Sequence, residues 1–135
     1  MAVQTTTAPG RFTFQQIAIG LQTLALLFQA VTAGLLLSTS YGEVLHGVGA
    51  RVMYGASMLY VLAAVLAWRP GGGSPRPVLH ASGFLALASL QVVLGIARMP
   101  GLHVPLGVVM FALSVLALHR ALSTPPAGRV FRAAP

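Results

Sequence analysis

Four apolar runs of about twenty residues, joined by short connections, dictate what this chain can become. A run of that length crosses the hydrocarbon core of a bilayer as a helix, because there each backbone polar group must find its partner within the segment. The runs read Phe14 to Leu37, Glu43 to Trp68, Val78 to Met99 and Leu102 to Leu122. They are separated by Ser38 to Gly42, by the Gly- and Pro-rich loop Arg69 to Pro77, and by the Pro100-Gly101 turn. Connections this short make successive spans antiparallel neighbours. The expected fold class is all-α integral membrane, an antiparallel four-helix transmembrane bundle over residues 13–122. Residues 1–12 are expected to form a flexible N-terminus, retained rather than cleaved, and residues 123–135 a disordered tail.

Composition supports this and removes whole classes of function. Only 7% of the 135 residues are charged, against about 25% in soluble domains, and no length is left for a separate soluble domain. The net charge of +7 comes from eight arginines set against one acid, Glu43. In a soluble chain that balance would suggest nucleic acid. Here the arginines flank apolar spans, so they set topology and meet lipid head groups, and no nucleic-acid partner is expected. Arg11, Arg69, Arg76, Arg120, Arg129 and Arg132 fall on one side and Arg98 on the other, which predicts cytoplasmic N- and C-termini in a bacterial-type inner membrane. Cysteine is absent, which excludes thiolate metal sites and thiol catalysis. A single carboxylate cannot make a paired acid/base site. The glycines at 71–73 lack the strand and lysine of a phosphate loop.

What remains are the polar groups inside the apolar runs, where each is costly and so points to function or to interhelical bonding. Gln15, Gln22 and Gln29 recur every seven residues on one face of the first span and are expected to turn inward. The stretch Tyr41 to Tyr54, YGEVLHGVGARVMY, brings Glu43, His46 and Arg51 to the mouth of span two. His103 opens span four at the same membrane depth. Both histidines are followed by a small residue at four positions and a methionine at seven: His46, Ala50, Met53 and His103, Gly107, Met110. Taken singly, each histidine has a plain role as an interfacial ring. Taken together, the shared spacing points to two axial imidazoles across a bundle, with Ala50 and Gly107 leaving room for a macrocycle edge. Arg51 and Arg98 lie where haem propionates would need cationic partners, although Arg51, five residues past His46, points off that face. His80 and His119, at the opposite membrane face, form a second candidate pair. Sixteen residues from His103, His119 faces about 160° away and cannot share its site.

Two short motifs resemble the haem A synthase family. Glu43-Val44-Leu45-His46 is similar to the Glu-x-x-His that opens the second helix of each half of that family. Leu90-Gln91-Val92-Val93-Leu94-Gly95 is similar to the Leu-Gln-x-x-Leu-Gly of the third helix, and His103 falls where the fourth-helix ligand stands. The likeness covers residues 40–120, one half of the eight-helix protein. It implies a bundle holding haem b between His46 and His103 near the outer side, with Glu43 as the carboxylate involved in oxidising a haem methyl group. The chain departs from the family at Gly47, where an arginine is usual, and in its short first outer loop without a cysteine pair.

These observations predict a haem-binding, b-type cytochrome-like electron-transport subunit with bis-histidine iron, alone or in a larger respiratory complex. A half-size haem A synthase acting as a homodimer, with catalytic Glu43, is one alternative. A cofactor-free packing subunit or small transporter is the other.

Overall fold

The computed structural model describes residues 12–123. The expected C-terminal tail but for Ser123, which is the last residue of the fourth helix, all of the expected flexible N-terminus but Phe12, and Arg11, Arg129 and Arg132 lie outside these residues. The chain forms α1 (Phe14–Leu35), α2 (Gly42–Trp68), α3 (Arg76–Ile96) and α4 (Pro100–Ser123), with no strand among the described residues. All four helices are long and apolar enough to cross a membrane, so the chain is a multi-pass membrane protein whose outward leucines and valines meet lipid. Each helix packs on its neighbours in sequence and α4 closes back on α1, which leaves α2 and α4 facing each other across a diagonal.

Lipid tails are as apolar as leucine, so burial alone does not drive these helices together; close packing and interhelical hydrogen bonds do. The interior is accordingly built from small side chains. Ala18, Ala25, Ala63, Ala64, Ala81, Ala88, Ser57 and Ser114 are all buried. Ala18, Ala25 and Thr32 recur at seven residues, as do Ala81 and Ala88, and Met53 and Tyr60. A seven-residue period is the mark of helices that wind left-handedly round one another.

Helix ends differ from the apolar runs by a few residues, each time for a local reason. α1 starts with a capping box in which Thr13 N–H donates to Gln16 Oε1 at 2.8 Å and Gln16 N–H to Thr13 Oγ1 at 3.2 Å. Gln16 Nε2 then donates to the Ala121 carbonyl at 2.8 Å, tying the start of α1 to the end of α4. α1 ends before Leu36 and Leu37, which form a tight turn instead. α4 starts two residues early, at Pro100, so Pro105 stands in its second turn rather than its first. The Gly101 carbonyl thus lacks the donor that residue 105 would supply.

α3 stops at Ile96 because Arg98 takes a left-handed conformation, φ 54°. Met99 N–H reaches back to Leu94 O at 3.0 Å and Arg98 N–H to Gly95 O at 3.1 Å, the two bonds of a Schellman stop. That position favours glycine. Arg98→Gly is expected to raise stability by about 1 kcal/mol, read as a shifted midpoint in reversible detergent unfolding.

Candidate functional site

The site is assembled at the end of the bundle where α1 and α3 finish and α2 and α4 begin. His46 lies in the second turn of α2 and His103 in the first turn of α4. Both are half-buried. Their ring centroids are 6.1 Å apart across the diagonal, with the planes at 68°, a T-shaped contact. The depth matching expected from sequence is met in the fold.

Each imidazole is held by a flanking helix through its Nδ1. His103 Nδ1 lies 3.0 Å from the Gln91 carbonyl on α3. A carbonyl only accepts, so Nδ1 carries the proton. His46 Nδ1 lies 3.1 Å from Thr32 Oγ1 on α1. Thr32 gives its one hydroxyl hydrogen to the Gln29 carbonyl at 3.1 Å, so His46 Nδ1 is again the donor. Both rings therefore take the Nδ1–H tautomer and keep a lone pair on Nε2. Tying Nδ1–H to an oxygen is how proteins orient metal-ligating histidines and raise their basicity. Two imidazoles on opposite sides of one metal ion, each bonded at about 2.0 Å, have centroids roughly 6 Å apart. The donor set fits a bis-imidazole iron centre. Thr32→Val removes the acceptor from His46 at nearly constant volume; were the pair to hold haem iron, the variant would be expected to bind haem about 10- to 100-fold more weakly, measured by haem titration.

Helix α3 shapes the floor through the Gln91-to-Gly95 stretch. Gln91 supplies the carbonyl, and Gly95, one turn on, lets the Nδ1–Cε1 edge of the His103 ring come close to α3. A Cβ at Gly95 would stand 3.4 Å from His103 Cε1 and 3.6 Å from Nδ1. On α1, Gln29 Nε2 donates to the His46 carbonyl at 3.0 Å. The expectation for the small residues needs one refinement. The space over Gly107 is taken by the Gln91 carboxamide, whose Nε2 is 2.8 Å from where a Gly107 Cβ would stand. A macrocycle edge at Gly107 would require the Gln91 side chain to turn aside. Ala50 is half-buried one turn past His46.

The remaining predicted residues lie apart from the pair. Glu43 is exposed, one turn before His46, and Arg51 is exposed on the outward face of α2. Arg98 is exposed in the turn between α3 and α4, at the histidine end. His80 and His119 are both exposed, and His80 Nδ1 is bonded 2.8 Å away to the Arg76 carbonyl of its own helix. No ring contact joins these two among the described residues. Among those residues there is also no cluster of three or more His, Cys, Asp or Glu side chains that could hold a bare metal ion.

The structure lengthens the repeat seen in sequence. Ser57 and Ser114, four residues past Met53 and Met110, are buried on the same faces. α2 and α4 thus share His46-Ala50-Met53-Ser57 and His103-Gly107-Met110-Ser114, each 57 residues apart. Thr32 and Gln91 are the residues that sequence reasoning left without a role at the histidines. Thr32 continues the Ala18-Ala25 heptad line, a signal that was available. A backbone carbonyl such as that of Gln91 has no signature in the side-chain alphabet. Comparison of the chain with protein-family models, with curated proteins and with solved structures finds no match.

Proposed function

We propose that this protein is a haem-binding membrane protein, a b-type cytochrome-like electron-transfer subunit with His46 and His103 as axial ligands. The observation that carries the reading is the close pair of imidazoles, centroids 6.1 Å apart, with both Nδ1 atoms committed to oxygen acceptors. Haem, when bound, supplies a one-electron iron couple. The chain's own part is to hold two neutral imidazoles at a fixed separation and to keep their Nε2 lone pairs free. Hydrogen bonds from Nδ1–H to Thr32 Oγ1 and to the Gln91 carbonyl increase imidazole basicity and so favour the oxidised state. Arg51 and Arg98 supply positive charge at the same end of the bundle for acidic cofactor substituents. Arginine placement supports cytoplasmic termini in a bacterial-type inner membrane, with the histidine end outward.

The exposed carboxylate of Glu43, one turn from His46, favours a second reading, a half-size haem A synthase that works as a homodimer. Modified haem in extracts, lost in Glu43→Ala with haem still bound, would establish it. For the first reading, protein purified from haem-replete cells is expected to show a six-coordinate, low-spin spectrum with one haem per chain. A colourless product under those conditions overturns it and leaves a cofactor-free packing subunit.

A further inference from the structure

The buried polar side chains extend from the histidine end to just past the middle of the bundle, interleaved with Leu26, Met53, Leu94 and Met110, and the buried positions of the far end are apolar. Among the described residues the buried polar side chains are Gln22, Thr23, Thr32, Ser57, Gln91 and Ser114. They run from the histidine layer, at Thr32 and Gln91, to just past the midpoints of the helices, at Gln22, Thr23, Ser57 and Ser114. Beyond them, toward the other end, the buried positions are Ala18, Ile19, Tyr60, Ala64, Ala81 and Phe84. Some of the polar groups satisfy one another: Thr23 Oγ1 and Ser114 Oγ are 2.6 Å apart, and Ser57 Oγ donates to the Met53 carbonyl at 3.0 Å. Two do not. Gln22 Oε1 and Gln91 Oε1 are buried and have no donor within reach among the described residues, and their residues are only 1% and 8% exposed. A buried amide oxygen without a donor costs about 1–3 kcal/mol, and in a membrane interior internal water is the donor most readily supplied.

We infer that the histidine half of the bundle is a hydrated inlet. Internal water donates to Gln22 Oε1 and Gln91 Oε1, reaches down to the Ser57 and Ser114 layer, and stops at the apolar far end. Ser57 lies 11 residues beyond His46, about 16 Å along the helix. Protons can therefore exchange with the neighbourhood of the histidine pair from one membrane face only. The partition rests on the polar residues themselves and stands whether or not a cofactor binds.

The chain has no cysteine, which makes a clean test possible on cofactor-free protein. Ser57 and Ala64 lie one heptad apart on the same face of α2, at 0% and 1% exposure. In Ser57→Cys and Ala64→Cys the infrared S–H stretch reports directly on water access, because it shifts to S–D on transfer into heavy water. The Ser57→Cys thiol is expected to exchange at least about 100-fold faster than the Ala64→Cys thiol. Ser114→Cys should behave as Ser57→Cys does, and circular dichroism checks that each variant keeps its helices. Equal exchange rates at the two positions, whether fast or slow, or a faster Ala64→Cys, overturn the inference.

Discussion

Under the proposed haem reading, His46→Ala and His103→Ala are each expected to abolish the six-coordinate spectrum while leaving helix content unchanged. The loss should amount to at least about 100-fold in haem affinity, more than the 10- to 100-fold that an orienting partner contributes. Neither ring is part of the buried apolar core, so the alanine variants lose one bond to α1 or α3 and little packing. Haem titration of the purified variants measures this. His80→Ala and His119→Ala serve as the contrast. Exposed and without a ring contact between them, they should leave the stoichiometry at one haem per chain. A wild-type ratio of two that falls to one in either variant would instead establish the second pair. Retention of the spectrum in both His46→Ala and His103→Ala would remove the iron centre from this end of the bundle.

Gly42→Ala is expected to be the most damaging small substitution to the fold. Gly42 opens α2 directly against the end of α1, and a Cβ there would collide with the Leu35 carbonyl and lie 2.7 Å from Leu36 N. These are backbone atoms, so no side chain can turn aside; the α1–α2 turn itself must open. The cost should be roughly 2–3 kcal/mol, the range of overpacked sites. Because that turn sets the register of Thr32 against His46, the loss should extend to haem affinity. Gly47→Ala, five residues along the same helix, meets nothing within 4 Å and should be neutral or slightly stabilising through helix propensity. Reversible unfolding in mixed detergent compares the two. Equal stabilities would show that the turn is looser than described.

The bundle was legible because apolar run length is a direct reading of membrane thickness. His46 and His103 were legible because they share a spacing, and spacing on a helix converts straight into a common face. Where one residue's backbone decides the outcome, sequence reasoning fell short. Arg98 in a left-handed conformation ends α3 three residues before the apolar run does, yet arginine gives no hint of it. The last helix begins at Pro100, two residues before the apolar run, which places Pro105 in its second turn. Gly107 looked like open space for a cofactor, and a neighbouring glutamine fills it. Arg98 and Pro105 take their meaning from where a helix ends or begins, and Gly107 from a partner distant in sequence.

The last helix is the least embedded of the four. Only Met110 and Ser114 of α4 are fully buried, and 11% of its most apolar stretch is interior, against 39% for α1. Yet it supplies one of the two imidazoles. Under the proposed haem reading, insertion and assembly are separable: three spans settle first, and the fourth would be recruited by the haem that bridges the rings. Such a bridge acts as a fastener, adding about 4 kcal/mol to docking when its free concentration is a thousand times the dissociation constant. Starved of it, the protein should expose its final span to proteolysis before any other.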